Sequence, residues 1–146
     1  MVLVDRSLAL NPGNAQAWLR SALLRVYAGD LEGTIERAER AMRLDPRANT
    51  YLHLTTIALA EFFDRRFDVA APKFVTATQQ APTYTTPYHF LAACYAHTGR
   101  LAEAREVIQK LRALGAIAPP PVGQWRKPAH RELLLSGLRR AASEST

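Results

Sequence analysis

Apolar positions recur along the chain at helical spacing, and short clusters of Gly, Pro, Asp and Asn interrupt them at regular intervals. The segments between interruptions predict paired helices over 15–28 and 31–44, 49–63 and 67–80, and 86–98 and 101–114. Gly29, Gly99 and Gly115 stand where helices should end, and Asp30 follows Gly29 at the place of an N-cap. Asp64-Arg65-Arg66 marks the corresponding turn of the middle pair without a glycine. Ahead of these, 4–10 reads as the second helix of a pair whose first helix is missing, so the chain looks like a piece of something longer.

The interruptions repeat. Leu10-Asn11-Pro12-Gly13-Asn14 returns as Leu44-Asp45-Pro46-Arg47-Ala48, with the prolines 34 residues apart, and Gln80-Ala81-Pro82-Thr83-Tyr84 follows 36 residues later. Each proline lies just past an apolar-periodic segment, where it stops a helix. Trp18, Ala22, Gly29, Ala41 and Pro46 share one set of spacings with Ala70, Phe74, Ala77 and Pro82, and with Leu91, Ala92, Tyr95, Gly99 and Ala104. Over residues 1 to about 116 this pattern resembles the tetratricopeptide repeat. The resemblance implies an all-α solenoid of about three helix pairs. Its units are a partial helix at 1–11 and repeats at 15–46, 49–82 and 85–115, together filling 1–116. Arg25 departs from the pattern by standing where an aromatic is usual. Thr34, Ala38 and Arg65 depart too, and Pro72 inside a second helix should kink or shift it at a cost of ~3 kcal/mol.

After residue 116 the pattern changes. Residues 117–124 carry three consecutive prolines and read as a stiff extended linker. Residues 125–142 read as a C-terminal capping helix led by Pro128, and 143–146 as a disordered tail. Leu134-Leu135-Ser136-Gly137-Leu138-Arg139 is similar to the proline-led helix that ends the tetratricopeptide tails of bacterial class III adenylate or guanylate cyclases. That narrower resemblance covers about 20 residues. It implies the C-terminal regulatory or assembly tail of a larger signalling protein, without the cyclase core.

Charge changes the picture only at the C-terminal end. The net charge is +6, and residues 100–142 hold nine basic side chains against three acidic ones. Arg126, Lys127, Arg131, Arg139 and Arg140 form a candidate basic patch for an acidic partner or nucleic acid. No aromatic stacking platform accompanies them, so nucleic acid is disfavoured against a solvated arginine-rich face. No apolar run approaches a membrane span, and charges at Asp5 and Arg6 oppose a signal peptide, so a cytoplasmic location is expected.

Candidate chemistry is sparse. There is no phosphate-cradling Gly-rich loop and no nucleophile elbow, so no catalytic residue, cofactor or metal is expected. Cys94 lacks an identifiable base and reads as a packing residue. His89 and His97 lie eight apart on one helix, a spacing that offers no i, i+4 ligand pair, and so read as groove or packing residues. Arrays of this kind bind along the face built by the leading helices. Helical spacing nominates Gln16, Leu19, Leu23 and Tyr27 from the first unit, and Thr50, His53, Ile57 and Glu61 from the second. Thr86, His89, Ala93 and His97 come from the third. The Lys, Asn and Arg with which some tetratricopeptide domains grip a C-terminal carboxylate are missing there, which points to an apolar partner segment instead. The expected function is a non-catalytic protein–protein interaction scaffold, whose partner is another protein or peptide or a neighbouring domain of the parent chain. The alternatives are homo-oligomerisation, burying 133–138 or the open N-terminal end against a second copy, and the basic nucleic-acid module.

Overall fold

The computed structural model describes residues 2–116 and 122–143, so most of the expected linker and the last three tail residues lie outside the described residues. The described residues form eight helices and no strand. They are α1 (Val2–Leu10), α2 (Ala15–Ala28), α3 (Leu31–Leu44), α4 (Tyr51–Phe63), α5 (Phe67–Gln80), α6 (Thr86–His97), α7 (Leu101–Ala113) and α8 (Pro128–Ser143).

Local chemistry sets the ends of these helices. Asn14 and Asp30 each accept a bond from a backbone amide of the first turn, from Ala17 and Gly33 at 3.1 Å, and so open α2 and α3. The turns inside the helix pairs use left-handed backbone: φ is 91° at Gly29, 60° at Arg65 and 78° at Gly99. Arg65 therefore does a glycine's work with a side chain attached. Pro72 sits within a continuous α5, its ring exposed to solvent.

The helices pair as hairpins, α2 with α3, α4 with α5 and α6 with α7, and each leading helix also packs on the second helix of the preceding pair. Small residues permit the close crossings: Ala22, Ala38, Ala41, Ala70, Ala77 and Ala104 are all fully buried. The core is aromatic at its centre. Phe62 meets Phe90 at 5.0 Å and Phe67 at 5.3 Å, both edge to face, an arrangement worth about 0.5–1.5 kcal/mol per pair beyond burial.

The repeat shows in its hydrogen bonds as well. The Trp18 indole donates to the Pro12 carbonyl (2.7 Å), and the Tyr88 hydroxyl donates to the Pro82 carbonyl (2.8 Å), the same six-residue step. Arg25, in the place of an aromatic, ties three helices together instead. It pairs with Asp5 of α1 at 3.0 Å and with Asp30 at 3.2 Å, while the Ser21 hydroxyl donates to Asp5 and Arg37 Nε donates to Ser21.

The terminal helix does not extend this stack. A further leading helix would pack mainly on α7, but α8 packs mainly on α6 and only marginally on α7. It has moved inward, onto the face made by the leading helices.

Candidate functional site

Equivalent positions on the leading helices follow from the turns. Pro46 and Arg65 lie two residues further apart than Pro12 and Gly29, or Pro82 and Gly99, so the extra residues of the middle unit precede α4. Counted from the turns, Gln16 corresponds to Leu52 and Thr86, Leu19 to Thr55 and His89, Leu23 to Leu59 and Ala93, and Tyr27 to Phe63 and His97.

The structure follows this register. A cleft of about 330 Å³ opens between α2 and α4, walled by Leu19, Leu23, Tyr27, Leu52 and Leu59 and closed at one end by Tyr84 and Thr86. Thr55 and Thr56 also line it, yet their hydroxyls are bonded to the carbonyls of Tyr51 and Leu52 (2.7 Å each), so α4 keeps its polar atoms satisfied beside an apolar wall. Gln16, Arg20 and Gln124 supply its polar rim, and Arg20 is the one charged residue in this lining. Burial raises the Tyr27 and Tyr84 hydroxyls above the usual phenol range, so both stay neutral.

Trp125 also lines the cleft, beside Gln124. It is 3% exposed and meets Tyr27 at 4.8 Å, Phe63 at 5.0 Å and Phe90 at 5.7 Å, each edge to face. The Arg126 amide donates to the Tyr27 carbonyl (3.0 Å), and from there α8 runs back over α6. His130 stacks on Phe63, and His97 Nε2 donates to the Leu133 carbonyl (2.7 Å). The equivalent ring positions Tyr27, Phe63 and His97 are thus all covered by the C-terminal segment.

Several nominated residues lie elsewhere. Gln16, Leu19, Leu23, Tyr27 and Thr86 line the cleft. Thr50, His53, Ile57 and Glu61 do not: they stand 34 residues after Gln16, Leu19, Leu23 and Tyr27, whereas the insertion before α4 makes the equivalent step 36. Thr50 bonds to Gln80, and Ile57 packs with Ala22 and Ala38. Glu61 is buried beside the Lys73 ammonium (2.9 Å). His53 is also buried, which pulls its imidazole below the usual range although Asp45 opposes this. His89 is buried with its Nδ1 3.1 Å from the Thr85 carbonyl. Ala93 is fully buried, and it and His97 lie under α8. Leu52, Thr55, Leu59 and Trp125 went unnominated, though aligning the units on Gly29, Arg65 and Gly99 identifies the first three.

The candidate basic residues lie on α8 and the turn before it, each with its own local contacts. Lys127 reaches the Gly29 carbonyl (3.4 Å), Arg131 reaches the Arg126 carbonyl (3.3 Å), and Arg139 pairs with Glu132. Arg139 and Arg140 lie about three helical turns beyond the Arg126–Lys127 end. Leu133 and Leu134 are 7% and 0% exposed within the single chain, while Leu135 and Leu138 are half-buried. Among the described residues no group of three or more His, Cys, Asp or Glu could hold a metal ion, and no helix is long and apolar enough to cross a membrane.

Residues 64–116 match the family model for the tetratricopeptide repeat. Among curated proteins none matches the chain. Repeats of this family generally mediate protein–protein interaction. The matched repeat and the stacked hairpins around it make this chain a tetratricopeptide-like α-solenoid.

Proposed function

We propose that the chain is a non-catalytic interaction module that takes an apolar segment of a partner protein into the cleft between α2 and α4. The observation that carries this reading is the cleft itself: leucine and tyrosine walls, a polar rim, and about 330 Å³ of room, within the range of sites that receive a few side chains. Arg20 at the rim favours a segment with a carboxylate beside its apolar anchor. The wider setting, as the tail of a larger bacterial signalling protein such as a nucleotide cyclase, rests on the resemblance of 125–140 alone.

The test is a peptide-display selection against the full chain. Leu19 and Leu52 are not buried, so Leu19→Glu with Leu52→Glu should fold while placing two carboxylates in the cleft. Selected peptides should be rich in apolar residues and lose at least about tenfold in affinity for that variant, some 1.4 kcal/mol. Peptides that bind both proteins equally would end this reading.

One observation favours a second reading, self-association. Leu3 and Leu10 on α1 are 80% and 83% exposed, at the end of the stack. Sedimentation of the full chain should then show a dimer that Leu3→Glu with Leu10→Glu abolishes. A monomer at all concentrations would remove it.

A further inference from the structure

The C-terminal segment from Val122 to Ala142 behaves as a ligand of the leading-helix face more than as a layer of the stack. It takes no position that the repeat geometry provides for a next helix. Instead it inserts an aromatic anchor, Trp125, among rings of α2, α4 and α6, then lays a helix antiparallel along α6. The approach is close because both surfaces are small. A Cβ built on Gly137 would come within 2.7 Å of Ala93 Cβ and 3.0 Å of the α6 backbone at Ala93.

Polar contacts that tie the segment to the face include three among the described residues: Arg126 amide to Tyr27 carbonyl, Lys127 to Gly29 carbonyl, and His97 to Leu133 carbonyl. Two of the three end on backbone atoms of the segment, which any helix of similar shape would offer. Against these, Trp125 Nε1, His130 Nδ1 and Arg131 Nε are buried without a hydrogen-bond partner among the described residues. Docking strips these groups of water and returns no bond from the described residues, which offsets part of what the apolar burial contributes. The open cleft begins where the segment stops, and Gln124 and Trp125 line both.

We infer that the leading-helix face is a single groove that receives an amphipathic helix led by an aromatic residue, and that the chain's own Trp125–α8 segment occupies its C-terminal half as a displaceable internal competitor. The partner fitting this groove carries a large ring, leucines about two turns later, and a small residue where the helices cross, as Trp125, Leu133–Leu134 and Gly137 do. This deepens the proposed function and rests on it. A tethered segment competes at an effective concentration of roughly millimolar, so a partner helix with matching contacts binds weakly until the internal copy is loosened.

The experiment uses the full chain and, as probe, a dye-labelled synthetic peptide of residues 122–143. Gly137→Leu drives a side chain into the α6 backbone, and Trp125→Ala removes the anchor. At least one variant that keeps its helical circular dichroism and cooperative melting should bind the peptide tenfold or more tighter than the unaltered chain does. The same peptide with its own tryptophan changed to alanine should lose that gain. Folded variants that bind no tighter than the unaltered chain overturn the proposal. Loss of cooperative folding in both variants overturns it as well, because α8 is then part of the core. Neither result touches selected peptides that depend on Leu19 and Leu52, so failure here is distinguishable from failure of the cleft itself.

Discussion

The imidazole of His130 lies flat on the ring of Phe63, with centroids 4.3 Å apart and planes 9° from parallel. This contact joins α8 to the end of α4 beside Trp125, and burial there pulls the imidazole below its usual 6.5, with the Lys127 charge adding to the effect. The unfolded imidazole therefore binds its proton at a higher pH than the folded one. The stability this gives is present above about pH 6.5 and is lost as pH falls through the lower folded value. Thermal melts from about pH 8 to 5.5 should show melting temperature falling below pH 6.5, and His130→Phe, which keeps the stack without the proton, should flatten part of that slope. His53, depressed for the same reason, carries a further part. An identical slope in His130→Phe would contradict the placement of α8.

Arg65 holds φ at 60°, in the place of Gly29 and Gly99. An L side chain there is strained by roughly 1–2 kcal/mol, part of which glycine gives back through its freer unfolded chain. Arg65→Gly should raise stability by about 0.5–1 kcal/mol in urea unfolding. Gly99→Ala meets no atom within 4 Å, so its cost should be backbone strain alone, roughly 1–2 kcal/mol. A destabilising Arg65→Gly would contradict the turn assignment.

Cys94 is 1% exposed, and burial, together with the Glu61 carboxylate, pushes its thiol well above the usual range. Its thiolate is accordingly scarce at neutral pH. Ellman's reagent should leave the folded chain unreacted over hours and modify one thiol once denaturant unfolds it. Rapid reaction in the native state would show α6 to be far more open than a 1% exposed Cys94 allows.

The helices were legible because their ends are written in local chemistry: Asn14, Asp30, Gly29 and the repeated prolines act within a few residues of the boundaries they set. The rotation of α4 was harder. Ten of its residues are buried, so no polar stripe marks which side faces out, and the two residues inserted before it move its equivalent positions off the 34-residue step. On α2, Gln16 and Arg20 mark the wet side, and Gln16, Leu19, Leu23 and Tyr27 line the cleft. The position of α8 depends on contacts nearly a hundred residues apart, such as Arg126 with Tyr27, which no periodicity reveals. Trp125 at the end of a proline-rich segment was the available signal, since so large a ring needs a pocket.

Amide chemical-shift mapping of a display-selected peptide on the full chain tests the central claim most directly. Perturbations should concentrate on Gln16–Tyr27, Leu52–Leu59 and Tyr84–Thr86, leaving the far side of α3 from Glu32 to Arg43 silent. Shifts confined to α3, or spread evenly over all helices, would show that the leading-helix cleft is not where this protein holds its partner.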